Sequence, residues 1–321
     1  MGESLGSGGG PLLDFVTGAP APGAPEPAWN HGARRRRTTA DPPIQVHAHD
    51  EHTYVMRQSK AVHYEAPFMF LLFGNERALL LDTGATADQA RFPLRAAVDL
   101  LVATWLRRHP RETYELVVAH THGHGDHHAA DGQFAGREHT TVVPLGVDSV
   151  RDYFGFRDWP SDAVPFDLGG RVLDVVGCPG HHEASICVYD PWSGFMLTGD
   201  TVYPGRLYVF EHAEFVASMD RLVRFAAQRP VTGVYGCHIE MTRTPGRDYP
   251  TGCTYQPDEP PLRMDVERLS VVRDAALVAR TRGAYVYDDF IIWHGVTPGL
   301  VAKNAVRLLR DKVSNALARG G

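Results

Sequence analysis

A chain of 321 residues with 43% hydrophobic and 22% charged residues can bury a sizeable core, which excludes a fibrous or wholly disordered protein. Its net charge of -6 at pH 7 excludes a general nucleic-acid binder, because neutralising phosphates needs a basic surface. The four cysteines, Cys178, Cys187, Cys237 and Cys253, have no CxxC spacing and are too few for a disulfide framework, so a reducing, cytoplasmic setting is expected.

Residues 1–43 are rich in Gly, Pro and Ala and lack a long apolar run. They resemble neither a signal peptide nor a membrane anchor, and are expected to be mostly disordered. The basic run Arg34 to Arg37 reads as solvated, since no hydrophobic segment follows it. From Ile44 short apolar runs alternate with turn residues, and Ile44–His47, Thr53–Met56, Phe68–Phe73 and Ala78–Leu81 read as successive strands. Asp88–Arg108 carries Leu94, Val98, Leu101, Val102 and Trp105 at helical spacing, with Pro93 tolerable near its start. Strands are then expected at Leu116–Ala119, Thr140–Val143, Arg171–Val176, Ile186–Tyr189, Phe195–Leu197 and Val231–Tyr235, with a helix over Glu214–Gln228. Leu262–Arg280 and Gly299–Leu317 have helical periodicity, and Tyr285–Trp293 reads as one strand between them. The expected organisation is a disordered segment at 1–43, a catalytic domain at 44–260, and a mainly helical part at 261–321 packed on that domain.

The densest chemistry lies in Ala119-His120-Thr121-His122-Gly123-His124-Gly125-Asp126-His127-His128, directly after an expected buried strand. Neutral imidazoles and a carboxylate are good zinc ligands, and glycines at 123 and 125 free the backbone to aim neighbouring side chains differently. Further candidates stand at strand-to-loop junctions: His181 in Pro179-Gly180-His181, Asp200 in Leu197-Thr198-Gly199-Asp200, and His238 in Gly236-Cys237-His238.

HxHxDH, then PGH, TGD and GxH, preceded by Leu80-Leu81-Asp82-Thr83-Gly84, resembles the metallo-β-lactamase superfamily over roughly residues 44 to 240. The resemblance implies an α/β, four-layer αββα sandwich, here with a helical C-terminal extension. It also implies two metal ions, zinc with iron or manganese as alternatives. His122, His124 and His181 would hold one ion and Asp126, His127 and His238 the other, with Asp200 bridging and Asp82 orienting a ligand imidazole from behind. An off-register set of His120, His122 and His124 would leave Asp126 and His127 without those roles. His128 and His182 read as rim residues.

Two such metals lower the pKa of bound water from about 15.7 toward about 7, which implies hydrolysis of an acyl bond, with Asp126 orienting the water. The aspartate at position 200, where the best-known β-lactamases carry cysteine, is similar to hydroxyacylglutathione hydrolases and acyl-homoserine lactonases. In the lactonases a tyrosine three residues further on contacts the substrate carbonyl, a role that would fall to Tyr203. Arg206 and Arg243 would grip glutathione in a thioesterase, or else be solvated charges. The expected partner is a small-molecule lactone, ester or thioester, with neither nucleic acid nor membrane. The alternatives are a non-haem iron redox enzyme on the same fold and a β-lactam hydrolase. About sixty residues after the catalytic region are too few for the flavin domain that flavodiiron proteins need.

Overall fold

Successive side chains of a strand point to opposite faces, so a strand that is apolar throughout must be covered on both. This explains the runs in the chain. The computed structural model describes residues 10–20, 23–34 and 40–317. In it β1 (Ile44–Asp50), β2 (Thr53–Gln58), β3 (Phe68–Phe73), β4 (Arg77–Leu81), β5 (Glu115–Ala119) and β6 (Thr140–Val142) lie side by side in that order. The first four are antiparallel, and β4, β5 and β6 are parallel. A second sheet is built from β7 (Ala163–Asp167), β8 (Val172–Gly177), β9 (Ile186–Asp190), β10 (Phe195–Gly199), β12 (Gly233–Gly236) and β13 (Arg263–Met264), with β10 and β12 parallel.

Three separate cores follow from the alternation. Phe68, Phe70, Leu72, Leu79, Leu81 and Val117 face inward onto Val175, Ile186, Val188, Phe195 and Leu197 of the second sheet. The intervening Met69, Leu71, Phe73, Leu80 and Val118 face outward and are covered by Leu94, Val98, Val102 and Trp105 of α1 (Leu94–Arg108). On the far side Cys187, Tyr189, Met196 and Val234 are covered by Phe215, Met219 and Leu222 of α4 (His212–Ala226) and by Leu269 and Val272 of α5 (Glu267–Val278). The layering is therefore helix, sheet, sheet, helix. Between β10 and α4 runs β11 (Arg206–Val209), which with β14 (Gly283–Val286) and β15 (Ile291–His294) makes a small third sheet. The remaining helices are α2 (Gly125–His128), α3 (Val147–Phe154) and α6 (Pro298–Leu317).

Two expectations need correction. Residues 10–20 and 23–34 are not free of structure: Phe15 packs edge-on against His52 and Trp192, and Trp29 against Phe68, with both aromatics buried. Asn75 exchanges hydrogen bonds with the Leu13 backbone, and Glu26 accepts from Trp29 and from the Leu262 N–H. A Gly/Pro-rich segment is held when isolated aromatics find pockets. Of the basic run, Arg35 to Arg37 lie outside the described residues. The second correction is at Tyr285–Trp293, which is a hairpin of two strands, turning between Val286 and Ile291. No helix among the described residues is long and apolar enough to cross a membrane.

One buried ion pair fastens the two sheets. Arg171, just before β8, is bound to Asp190 at the end of β9, and donates to the carbonyls of His52 (2.7 Å) and Phe73 (3.0 Å) and to Thr53 Oγ1 (2.8 Å) in the first sheet. Replacing Arg171 with Met leaves Asp190 buried without its cation. Urea unfolding is expected to show a loss of about 3–5 kcal/mol, and a loss below about 1 kcal/mol would show that the pair does not fasten the sandwich.

Candidate metal centre

All the motif residues leave the sandwich at one edge, where β4, β5, β8, β10 and β12 end. Two glycines make the exits. Gly199 has φ +52 and a Cβ there would lie 2.6 Å from Thr121 Cβ; Gly180 has φ +133 and a Cβ would meet the Phe215 backbone at 2.4 Å. Each precedes a candidate ligand, Asp200 or His181. The glycines singled out from sequence act differently: neither Gly123 nor Gly125 has a positive φ. A Cβ at Gly123 would press on the His182 ring at 3.1 Å, whereas nothing in the structure explains Gly125.

The edge brings together two groups of ligand atoms. His122 Nε2, His124 Nδ1 and His181 Nε2 form a triangle with sides of 3.0, 2.9 and 3.2 Å. Four tetrahedral zinc ligands at about 2.05 Å would be separated by roughly 3.3 Å, so the triangle has the dimensions of such a site. Beside it, His127 Nε2 lies 3.3 Å from Asp126 Oδ2 and 3.5 Å from Asp200 Oδ1, while His238 Nε2 lies 3.2 and 3.4 Å from the same two oxygens. Asp200 spans the groups: its Oδ1 faces His127 and His238, and its Oδ2 is 3.8 Å from His181 Nε2.

The rear nitrogens are held as metal ligands require. His127 Nδ1 is 2.9 Å from Asp82 Oδ2, His181 Nδ1 is 2.8 Å from the Tyr208 carbonyl, and His238 Nδ1 is 3.4 Å from the Glu65 carbonyl. In the neutral, ligating form of each ring this leaves the Nε2 lone pair facing forward. Asp82 is fully buried and also accepts from Thr121 N at 2.7 Å, Thr121 Oγ1 at 2.9 Å and Cys237 Sγ at 3.1 Å. It is more than a turn residue.

Charge within the edge is uneven. Burial, reinforced by neighbouring imidazoles, keeps His122 well below the ordinary histidine range, and burial pushes His181 down to about 4 against the pull of Asp200. Both are neutral, the form that ligates. Burial would raise Asp200, yet the His238 and His127 charges hold it at about 2; burial would lower His238, yet Asp200 and Asp126 push it up to about 9. The carboxylates thus demand positive charge beside them. His127 Nε2 and Asp200 Oδ1 are buried without a hydrogen-bond partner, a costly state that a shared cation relieves. Nitrogen and carboxylate donors in this number fit zinc. Another His-rich cluster, Glu51, His52 and His109, is less apt: Trp105 Nε1 donates to His52 Nδ1, which puts the ring proton on Nε2 and removes that lone pair.

His120 turns away to Asp131 Oδ1 at 2.9 Å, so the off-register ligand set is not assembled. His182 stands at the rim beside His124, as expected. Tyr203 is buried, with its hydroxyl donating to the Arg206 carbonyl and the turn through Gly205 packed on its ring, although the residue still lines the cavity over the ligands. One sequence reading changes. Arg206 is neither solvated nor free to grip an anion: it is buried and bound to Glu240, Asp248 and the Tyr249 carbonyl. Arg243 is exposed. The cavity over the ligands, about 240 Å³, is also lined by Glu65, Tyr208, Phe210, Thr251 and Val296, residues that no motif spacing marked.

A sandwich of this layering with these clustered ligands defines a metal-site α/β class, and the comparisons with known proteins give the same class. The family model described as Metallo-beta-lactamase superfamily matches residues 65–238. The chain belongs to the metallo-beta-lactamase superfamily. It is similar to a hydroxyacylglutathione hydrolase of Synechococcus sp., 28% identical over 171 residues, 50% of this chain and 63% of that protein. It is similar also to the acyl-coenzyme A thioesterase MBLAC2 of Gallus gallus, 32% identical over 78 residues, 23% of this chain and 28% of that protein. The chain thus spans less than two thirds of these relatives. The solved structure of TMB-1 shares the fold, with a TM-score of 0.50 at 15% identity, covering 75% of this chain and 100% of that one.

Replacing Asp82 with Asn should weaken metal binding by about 10–100-fold, the usual cost of losing an outer partner, with the fold retained. Competition against a chromophoric chelator measures it; unchanged affinity would mean that Asp82 does not orient His127.

Proposed function

We propose that the chain is a dinuclear metallohydrolase that cleaves an acyl bond in a lactone, ester or thioester. The observation that carries this reading is Asp200, whose two oxygens face the two ligand groups separately. His122, His124 and His181 would hold one ion and Asp126, His127 and His238 the other, with Asp200 shared. Zinc fits the donor set best. When bound, the pair lowers the pKa of water toward neutrality and polarises a carbonyl.

The chain's own residues supply orientation. Asp126 lines the cavity and remains ionised: burial opposes its charge, but His127 and His238 hold it below the usual carboxylate range. Its carboxylate accepts a hydrogen bond from the attacking water and so aims a lone pair at the acyl carbon. Tyr208 lines the cavity together with Tyr203 and offers the second hydroxyl there. Its hydroxyl oxygen accepts from Arg206 Nε at 3.1 Å and its hydroxyl also meets the Thr251 side chain, a pair in the cavity wall that can turn a proton to the substrate carbonyl. Phe210 and Val296 give the mouth apolar walls. The names of two relatives, a hydroxyacylglutathione hydrolase and an acyl-coenzyme A thioesterase, support an acyl substrate.

Proton release by zinc-loaded protein, with a chelator control, across an acyl-homoserine lactone, simple esters, S-lactoylglutathione and a penicillin tests the reading. Chelator-sensitive turnover of at least one acyl ester or lactone is expected. In the Asp200→Ala variant bound metal should fall and turnover should drop by more than the roughly 10–100-fold that an outer partner costs. Retained activity with both metals bound would remove Asp200 from its shared position.

A further inference from the structure

Beyond the ligand cavity, and sharing His181 and Phe210 with it, a groove of about 700 Å³ runs between α3, the Trp159-Pro160 turn and the start of α4. Its charge is one-sided. Glu183, Glu211 and Glu214 line it against a single cation, Arg151, which is itself 3.2 Å from Asp148. All three glutamates are exposed, and none has an ion-pair partner among the described residues. Arg221, further along α4, is attracted by Glu214 but donates to the Gly177 carbonyl at 2.8 Å and does not line the groove, so Glu183 and Glu211 carry most of its uncompensated charge. On the cavity side the Arg206 guanidinium is buried and neutralised by Glu240 and Asp248. Two aromatic surfaces face the same groove: Phe210, 48% exposed, and the half-exposed Trp159.

Carboxylates beside open aromatic faces are the chemistry that recognises an ammonium group, and the same carboxylates repel phosphates and peptide carboxylates. We propose that the substrate is an ester or lactone bearing an ammonium group that sits in the groove between Phe210, Trp159 and the three glutamates. This rests on the acyl-hydrolase reading above. It departs from anionic carriers such as glutathione and coenzyme A. Water adds across the acyl C–O bond: an ester gives a carboxylic acid and an alcohol, one of which keeps the ammonium group, and a lactone gives one hydroxy acid that keeps it; no oxidant or reductant is required.

The test uses full-length, zinc-loaded protein and three butyryl thioesters that differ only in the leaving thiol: thiocholine, 2-mercaptoethanol and glutathione. Thiol release should give kcat/KM for the cationic ester about tenfold or more above that for the glutathione ester at low ionic strength. The ratio should narrow as salt rises. In the combined variant Glu183→Gln, Glu211→Gln, Glu214→Gln the ratio should collapse toward one. A glutathione ester turned over best, or a ratio that survives the three substitutions, overturns the proposal. If none of the three thioesters is cleaved, the acyl-hydrolase reading is judged on the lactone and ester panel above, and ligand-observed NMR decides the groove. Choline binding that the substitutions weaken sustains an ammonium site; tighter binding of glutathione, or no choline binding, overturns it.

Discussion

The carboxylate of Asp82 is the point on which the metal edge depends. Fully buried at the end of β4, it gathers donors from three directions: Thr121 through both N–H and hydroxyl, the His127 imidazole and the Cys237 thiol. Those partners belong to the loop after β5 and to the turn after β12, so one side chain joins the exits of both sheets. An isolated buried carboxylate would cost several kcal/mol. Satisfied by four donors, it instead fixes where His127 points and how close the β12 turn carrying His238 can lie. Its backbone, at φ +70, is in the left-handed region where a short Asx side chain is tolerated.

Charge compensation recurs through the molecule. Arg171 and Asp190 close the far end of the sandwich, and Arg57 meets Glu259 through two parallel hydrogen bonds of 2.6 and 2.7 Å. Arg206 is balanced by Glu240 and Asp248, and Arg307 of α6 reaches the same Asp248 at 2.7 Å, which brings the last helix onto the body. Each buried cation is thereby spent on structure. The carboxylates of the ligand group face imidazoles and the proposed metals, whereas those along the neighbouring groove lie open, and that asymmetry shapes what the edge can bind.

Much of this was legible in the sequence because the signals were local. Phe68–Phe73 is apolar on both faces, and the structure finds a strand with those limits; the HxHxDH stretch, His181, Asp200 and His238 converge as their strand-end positions implied. What escaped notice depends on distant partners. Ala163–Asp167 and Arg206–Val209 carry Pro165 and Arg206, which weaken a strand signal until β8 and β15 supply pairing. Arg206 read as an exposed site residue because its acceptors, Glu240 and Asp248, lie far along the chain. Phe15 and Trp29 have no periodic neighbours, so nothing local announced that they are buried. Tyr208 has no motif of its own; only the packing of β11 beside His181 brings it to the cavity.

At one edge of the sandwich Asp200 turns one carboxylate oxygen to each of two ligand groups, the arrangement of a carboxylate shared between two metals. Crystals of the zinc-loaded protein, measured on both sides of the zinc absorption edge, test that claim most directly. Two anomalous peaks are expected, one against His122, His124 and His181 and one against Asp126, His127 and His238, with Asp200 contacting both. A single peak with Asp200 turned away from it, or no peak at this edge, would contradict the account.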